Sequence, residues 1–195
     1  MIDFPRRAGK LENAGTYRAD DAGTHMKLWL IRHAKSDWSD PGLSDFDRPL
    51  NKRGRRDGPK MQSWLSTQDH PATWIWSSRA ERAKATAKFV AAGFAAATPT
   101  IVEDRRLYLA SAETLLDVLR ETPVPESSIA LVAHNPGMTN LVNLLSGDEV
   151  LDNLPTFGVA RFDVDVPWVS LRFGGARLEL VSSPKRLPGD ATGQG

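Results

Sequence analysis

Histidine and arginine stand directly after three short apolar runs of this chain. Arg32-His33-Ala34-Lys35-Ser36 follows Leu28-Trp29-Leu30-Ile31, and Ser77-Ser78-Arg79-Ala80-Glu81-Arg82 follows Thr73-Trp74-Ile75-Trp76. His134-Asn135-Pro136-Gly137 follows Ile129-Ala130-Leu131-Val132-Ala133. Guanidinium groups match phosphoryl oxygens with paired hydrogen bonds, and an imidazole can attack phosphorus or hand over a proton. Together these residue types compose a site for a phosphoryl group. Each segment also has a plain structural reading. A lone histidine at a strand end is often a hydrogen-bonded structural residue. Asn135 suits an N-cap with Pro136 at the first helical position. Ser78 suits another N-cap, and Arg79 and Arg82 suit a solvated face. Three such segments in one chain are hard to obtain from independent structural needs.

Positioning them requires strands and helices in alternation. The three apolar runs are near-continuous, the mark of strands buried on both faces of a parallel sheet. Met61, Trp64 and Leu65, then Ala80, Ala83, Ala87, Val90, Ala91 and Phe94, then Leu115, Leu116 and Leu119 recur at helical spacing. Pro59 predicts a late start or a kink in the first helix, because proline removes a helix hydrogen bond. After Phe157 the period shortens: Val159, Phe162 and Val164, then Leu178 and Leu180, predict two later strands in antiparallel pairing. The expected class is α/β, with a mostly parallel central sheet between helices on both faces. In such sheets ligands bind beyond the carboxyl ends of the strands, where all three polar segments fall.

Composition limits the partners. The 195 residues carry 25 Lys+Arg against 24 Asp+Glu, too balanced for a general nucleic-acid or anionic-membrane binder. The local cluster Arg48, Lys52, Arg53, Arg55 and Arg56 is interrupted by acids and lacks interleaved aromatics, so it reads as a pocket rim or a solvated face. The chain has no cysteine, which removes disulfides and thiol chemistry and is compatible with a reducing cytoplasm, the expected location. No run approaches the ~20 apolar residues of a membrane-spanning helix. No His-x-x-x-His or His-x-Asp pairing offers a metal site, so neither metal nor cofactor is expected. Residues 1–25 read as a flexible extension, 26–183 as a single domain and 184–195 as a flexible Pro- and Gly-rich tail, with Met26 an alternative translation start.

The three segments together resemble the histidine phosphatase superfamily, the phosphoglycerate mutase-like group. Its Arg-His-Gly signature is matched by Arg32-His33-Ala34, its Ser-Ser-Pro-x-x-Arg-Ala-x-x-Thr-Ala helix start by residues 77–87, and its Gly-His-Asn-Pro-Gly turn by residues 133–137. The run through Asp37 and Trp38, then Asp47-Arg48-Pro49-Leu50 and Arg106-Leu107-Tyr108, is most similar to SixA-type phosphohistidine phosphatases. The resemblance implies a three-layer α/β/α fold and a metal-independent phosphatase. It implies His33 as the nucleophile forming a phosphohistidine, Arg32 and Arg82 as phosphoryl clamps, and His134 as completing the pocket. Lys35, Ser36 and Asn135 are further candidates for phosphate contact.

Three positions depart from the family pattern: Ala34 for glycine, Arg79 for proline, and Ser39 where a phosphate-binding asparagine stands in many members. No acid near Leu107-Tyr108-Leu109 matches the usual proton donor, which leaves Asp37, Asp47, Asp104 and Glu113 as candidates. A leaving imidazole, of pKa ~6.5, needs little protonation, so phosphohistidine on a partner protein is the expected substrate. The alternatives are a small-molecule phosphomonoesterase and a non-catalytic phosphoprotein-binding module.

Overall fold

The structure, a computed structural model, describes residues 25–187. Residues 1–24 of the expected extension and 188–195 of the expected tail lie outside the described residues. Six strands and four α-helices follow in order among the described residues: β1 (Met26–Arg32), α1 (Lys52–Leu65), β2 (Trp74–Ser78), α2 (Glu81–Gly93), β3 (Thr100–Asp104), α3 (Ala112–Arg120), β4 (Ser128–Ala133), α4 (Gly137–Ser146), β5 (Val159–Val164) and β6 (Arg177–Ser182).

The strands form one sheet in the order β3-β2-β4-β1-β5-β6. β1, β2, β3 and β4 run parallel, β5 pairs antiparallel with β1, and β6 antiparallel with β5. Central position explains the unbroken apolar runs: alternate residues of one strand serve opposite cores. Leu28 and Leu30 join Leu115, Leu119, Leu141 and Leu145 beneath α3 and α4. Trp29 and Ile31 join Met61, Leu65, Ala83, Ala87 and Val90 beneath α1 and α2. Each such buried Leu, Ile, Val or Met side chain contributes ~1.5–3 kcal/mol of transfer free energy, so the three-layer arrangement is strongly specified.

Local chemistry departs from expectation in three places. α1 starts at Lys52, seven residues before Pro59 and not late. Its start is held by Asn51, whose side chain accepts from the Gly54 N–H, and Met61 and Leu65 are fully buried beyond the proline. β3 was absent from the expected strands, because Thr100–Asp104 lies at the sheet edge, mostly exposed and without an apolar run. Asn135 does not cap α4: Pro136 holds that position, and the Asn135 amide is drawn to the loop before β5. In the described part of the expected tail Pro184 is buried and Leu187 is partly buried against the α1 and α2 core, while Lys185 and Arg186 are exposed.

Candidate active site

The register of the parallel strands assembles the site. Arg32 of β1 lies opposite Ala133 of β4, so the next residues, His33 and His134, emerge side by side with ring centroids 4.9 Å apart. β2 flanks β4 on the other side, and its last residue, Ser78, brings its hydroxyl 2.8 Å from Nε2 of His134. Two residues, Arg79 and the N-cap Ala80, separate β2 from α2, which places Arg82 in its first turn. The Thr86 hydroxyl accepts from the Ala34 N–H at 3.0 Å and donates to the Arg82 carbonyl at 2.6 Å, tying α2 to the segment after β1.

That segment is held as firmly on its other side. The Lys35 carbonyl accepts from the Asn51 N–H, and a methyl group placed on Gly54 would lie 2.3 Å from the same oxygen. Glycine at position 54 is therefore what allows α1 to press against the loop.

The resulting pocket, of about 290 Å³, is lined by Arg32, His33, Lys35, Ser36, Asn135 and His134, together with Arg48, Arg82, Asp45, Trp38, Leu109 and Thr156. All seven residues singled out in the sequence thus come together. Four cationic side chains face one carboxylate here, in a chain whose formal charge is only +1. The local excess suits an anionic ligand.

His33 has a defined tautomer. Its Nδ1 lies 2.7 Å from the Ala34 carbonyl and must carry the proton, which leaves the Nε2 lone pair free. Nε–H of Arg82 points at that lone pair from 3.3 Å. Burial lowers the His33 pKa to about 3, with the charges of Arg82, Arg32 and Arg48 acting in the same direction and the Ala34 hydrogen bond opposing them. At neutral pH the ring is uncharged and nucleophilic. Burial, then the neighbouring His33 and Arg82, likewise hold His134 neutral. Nε2 of His134 shares a hydrogen bond with the Ser78 hydroxyl in which either group can donate, and its Nδ1 has no protein partner.

Three buried polar atoms of lining residues have no protein partner: Nε of Arg32, Nδ1 of His134 and Oδ1 of Asn135. The remaining donors of Arg32 and Asn135 are anchored together. Nη1 of Arg32 and Nδ2 of Asn135 both donate to Oδ1 of Asn153 and to the Leu154 carbonyl. Arg32 is thereby fixed by its tip, with Nε free for an oxyanion.

The basic cluster divides. Arg48 is 6% exposed and stacks under Trp38, its Cζ 3.4 Å from the ring centroid. It donates to the Ser36 hydroxyl, the Asp37 carbonyl and the Asp45 carboxylate, so its fork is spent within the loop. Arg53 and Arg56 pair with Asp57, and Arg55 donates to the Leu50 carbonyl. None of the candidate proton donors Asp37, Asp47, Asp104 and Glu113 lines the pocket. Asp104 is bonded to Arg106, Asp37 accepts from the Ser39 N–H, and Asp47 accepts from Ser44. Ser39 is absent from the lining as well. Asp45 and Thr86 are not among the residues expected at the site, and Tyr108 enters there only through the Arg106-Leu107-Tyr108 match. Asp45 stands in a loop with Asp40 and Asp47, and nothing in residue type separates the three.

A family model for the histidine phosphatase superfamily, branch 1, matches residues 28–108, from β1 to the Tyr108 that faces Asp45. Over that stretch, less than half of its length, the chain is similar to the histidine phosphatase superfamily. An uncharacterised chloroplastic protein of Arabidopsis thaliana is 33% identical over 132 residues, 64% of this chain, which spans only 61% of that relative. Among solved structures, a protein of Agrobacterium tumefaciens named as a candidate phosphohistidine phosphatase SixA is 28% identical. It aligns with a TM-score of 0.71 over 82% of this chain and 98% of its own. A second candidate SixA, from Nakamurella multipartitia, shares the fold at a TM-score of 0.70 and 21% identity, over 82% of this chain and 96% of that one. The six-stranded three-layer architecture is that of these phosphoglycerate mutase-like relatives. Among the described residues no helix is long and apolar enough to cross a membrane, and no group of three or more His, Cys, Asp or Glu side chains is placed to hold a metal.

Proposed function

We propose that this chain is a member of the histidine phosphatase superfamily and a phosphatase that takes a phosphoryl group onto Nε2 of His33 and passes it to water, with phosphohistidine on a partner protein as its preferred substrate. The observation that carries the reading is the state of His33, a neutral ring with Nδ1 bonded to the Ala34 carbonyl and its Nε2 lone pair beside the Arg82 guanidinium. On substrate entry Nε–H of Arg82 transfers from the lone pair to a phosphoryl oxygen, and Nε–H of Arg32 and Nδ1–H of His134 supply further donors. The N–P bond forms as the bond from phosphorus to the leaving group breaks, the leaving group keeping the electron pair. Water then attacks phosphorus and the electron pair returns to Nε2. The cations stabilise the equatorial oxygens through both transfers.

Phosphohistidine is favoured over an alkyl phosphate because an imidazole departs with little protonation and none of the four acids considered above reaches the pocket. The exposed rings and side chains of Trp38 and Leu109 at the rim offer a surface to the protein bearing such a group. A cytoplasmic site of action accords with the absence of cysteine.

The test is phosphate release from a nitrophenyl phosphate and from a histidine-phosphorylated protein, in chelator, by wild type and His33→Ala. Release by wild type alone, faster from the phosphohistidine protein, is expected. Retained phosphate binding without release would point instead to a phosphoprotein-binding module, and preference for a small phosphomonoester to a metabolite phosphatase.

A further inference from the structure

Asp45 is the one carboxylate among the described residues that line the pocket, and its position invites the role of proton donor. Its hydrogen bonds speak against that role. Oδ1 accepts from Nε and Nη2 of Arg48 at 3.1 and 2.6 Å. Oδ2 accepts from Nη2 of Arg82 at 2.8 Å and from the Tyr108 hydroxyl at 2.6 Å. A carboxylate offers about four acceptor positions, and here all are filled by donors, three of them from guanidinium groups. A proton on either oxygen would have to displace one of these bonds. Although partial burial opposes it, the bonds from Tyr108, Arg82 and Arg48 hold the group ionised, well below the usual carboxylate range.

The same contacts define what Asp45 does to Arg82. Its backbone oxygen accepts from Nη1 of Arg82 while its Oδ2 accepts from Nη2, so one residue occupies the terminal edge of the guanidinium. Nε is left on the adjoining edge, 3.3 Å from Nε2 of His33. Arg82 is 2% exposed and has no other carboxylate partner among the described residues. Asp45 is in turn locked by Arg48, which Trp38 covers, and by Tyr108, whose ring meets His134 edge-on at 5.4 Å.

We infer that Asp45 is a positioning residue: it grips the terminal edge of Arg82 so that the Nε edge faces the phosphoryl group on His33, and it supplies no proton to the leaving group. This rests on the phosphatase reading above and sharpens it, since chemistry without a carboxylic acid restricts the substrates to those with easily expelled leaving groups. Because Asp45 is also a negative charge beside the phosphoryl site, it weakens anion binding while improving aim. Removing it should therefore separate turnover from affinity.

The experiment measures kcat and KM of wild type, Asp45→Asn, Asp45→Glu and Tyr108→Phe across N-phosphoryl, nitrophenyl, phenyl and alkyl phosphates, with inhibition by inorganic phosphate. Asp45→Asn should lose on the order of 10²-fold in kcat, the scale of a misaimed catalytic group. The factor should be the same for every leaving group, with phosphate bound as tightly as by wild type or more so. Asp45→Glu, which keeps the charge, should recover part of the loss. Tyr108→Phe, which withdraws a single donor from Asp45, should show a smaller loss that is again uniform, and it carries the test if Asp45→Asn does not fold. A loss that steepens with leaving-group pKa would make Asp45 the general acid. A kcat within twofold of wild type, or phosphate affinity falling in proportion to kcat, would also overturn the assignment. Wild type inert on every substrate would sink the phosphatase reading and the assignment with it, whereas the other adverse results overturn the assignment alone.

Discussion

Nδ1 of His33 lies 2.7 Å from the carbonyl oxygen of Ala34, its neighbour in the chain, and only the other ring nitrogen keeps a free lone pair. The phosphoryl group should accordingly be found on Nε2. Rapid mixing with substrate, quenching without acid, and phosphorus NMR of the digested peptide should show an acid-labile Nε2 linkage on His33. An Nδ1 linkage, or label on His134, would contradict the tautomer described above.

In the proposed mechanism Arg82 works through the geometry of its fork. Arg82→Ala should lower kcat by on the order of 10²-fold or more, the effect of removing one preorganised donor from a transition state. Arg82→Lys should recover little, because an ammonium cannot face His33 and grip both oxygens of Asp45 at once. Steady-state kinetics of the two variants decides the matter, and lysine restoring most of the activity would reduce Arg82 to a point charge.

The depressed pKa of His33, about 3, has a consequence for stability. An unfolded histidine titrates near ~6.5, so between that pH and the folded value the unfolded chain binds the extra proton. Stability should therefore fall as the pH drops through this window, with this one ring contributing up to ~1.4 kcal/mol per pH unit. Urea midpoints of wild type and His33→Gln between pH 6 and 4.5 should show a shallower slope for the variant. Equal slopes would mean that the folded ring is already charged.

α4 begins against the segment before α3: a methyl group on Gly137 would lie 2.0 Å from the Ala110 carbonyl, a backbone atom that cannot turn aside. Gly137→Ala should destabilise by ~1–3 kcal/mol, the usual cost of forcing atoms into a packed region. It should also slow turnover, because the His134 carbonyl accepts the first hydrogen bond of this helix, from Met138. Denaturant unfolding and kcat of the same variant test both.

What could be read in the residues themselves follows from how strongly each environment selects its amino acids. Leu28 to Ile31 and Ile129 to Val132 must be apolar at every position because both sheet faces are covered, so those strands were legible. The polar residues after them were legible for the converse reason, since buried His33, Arg82 and His134 have no place in a core. β3 was not, because an edge strand with exposed Thr100 and Ile101 is under no such pressure. Asp45 was hidden differently: its partners Arg48, Arg82 and Tyr108 come from three segments, and only the folded chain shows which loop aspartate they meet. Asn135 misled for a local reason. Its amide suits an N-cap, yet Asn153 and Leu154 offer it two acceptors from a distant loop.

The pairing of Arg32 with Ala133 joins strands far apart in the chain, and β2, with Ser78, enters the sheet on the far side of β4. No hairpin or local helix pair holds even half of the reactive constellation. Such pairings are among the slow events of folding, since much chain must be closed before they are rewarded. Catalytic competence should therefore return on refolding only as the centre of the sheet closes, later than helix content recovers. Fragments ending before β4 should be inert, and activity can serve as a clock for the last cooperative step of the fold.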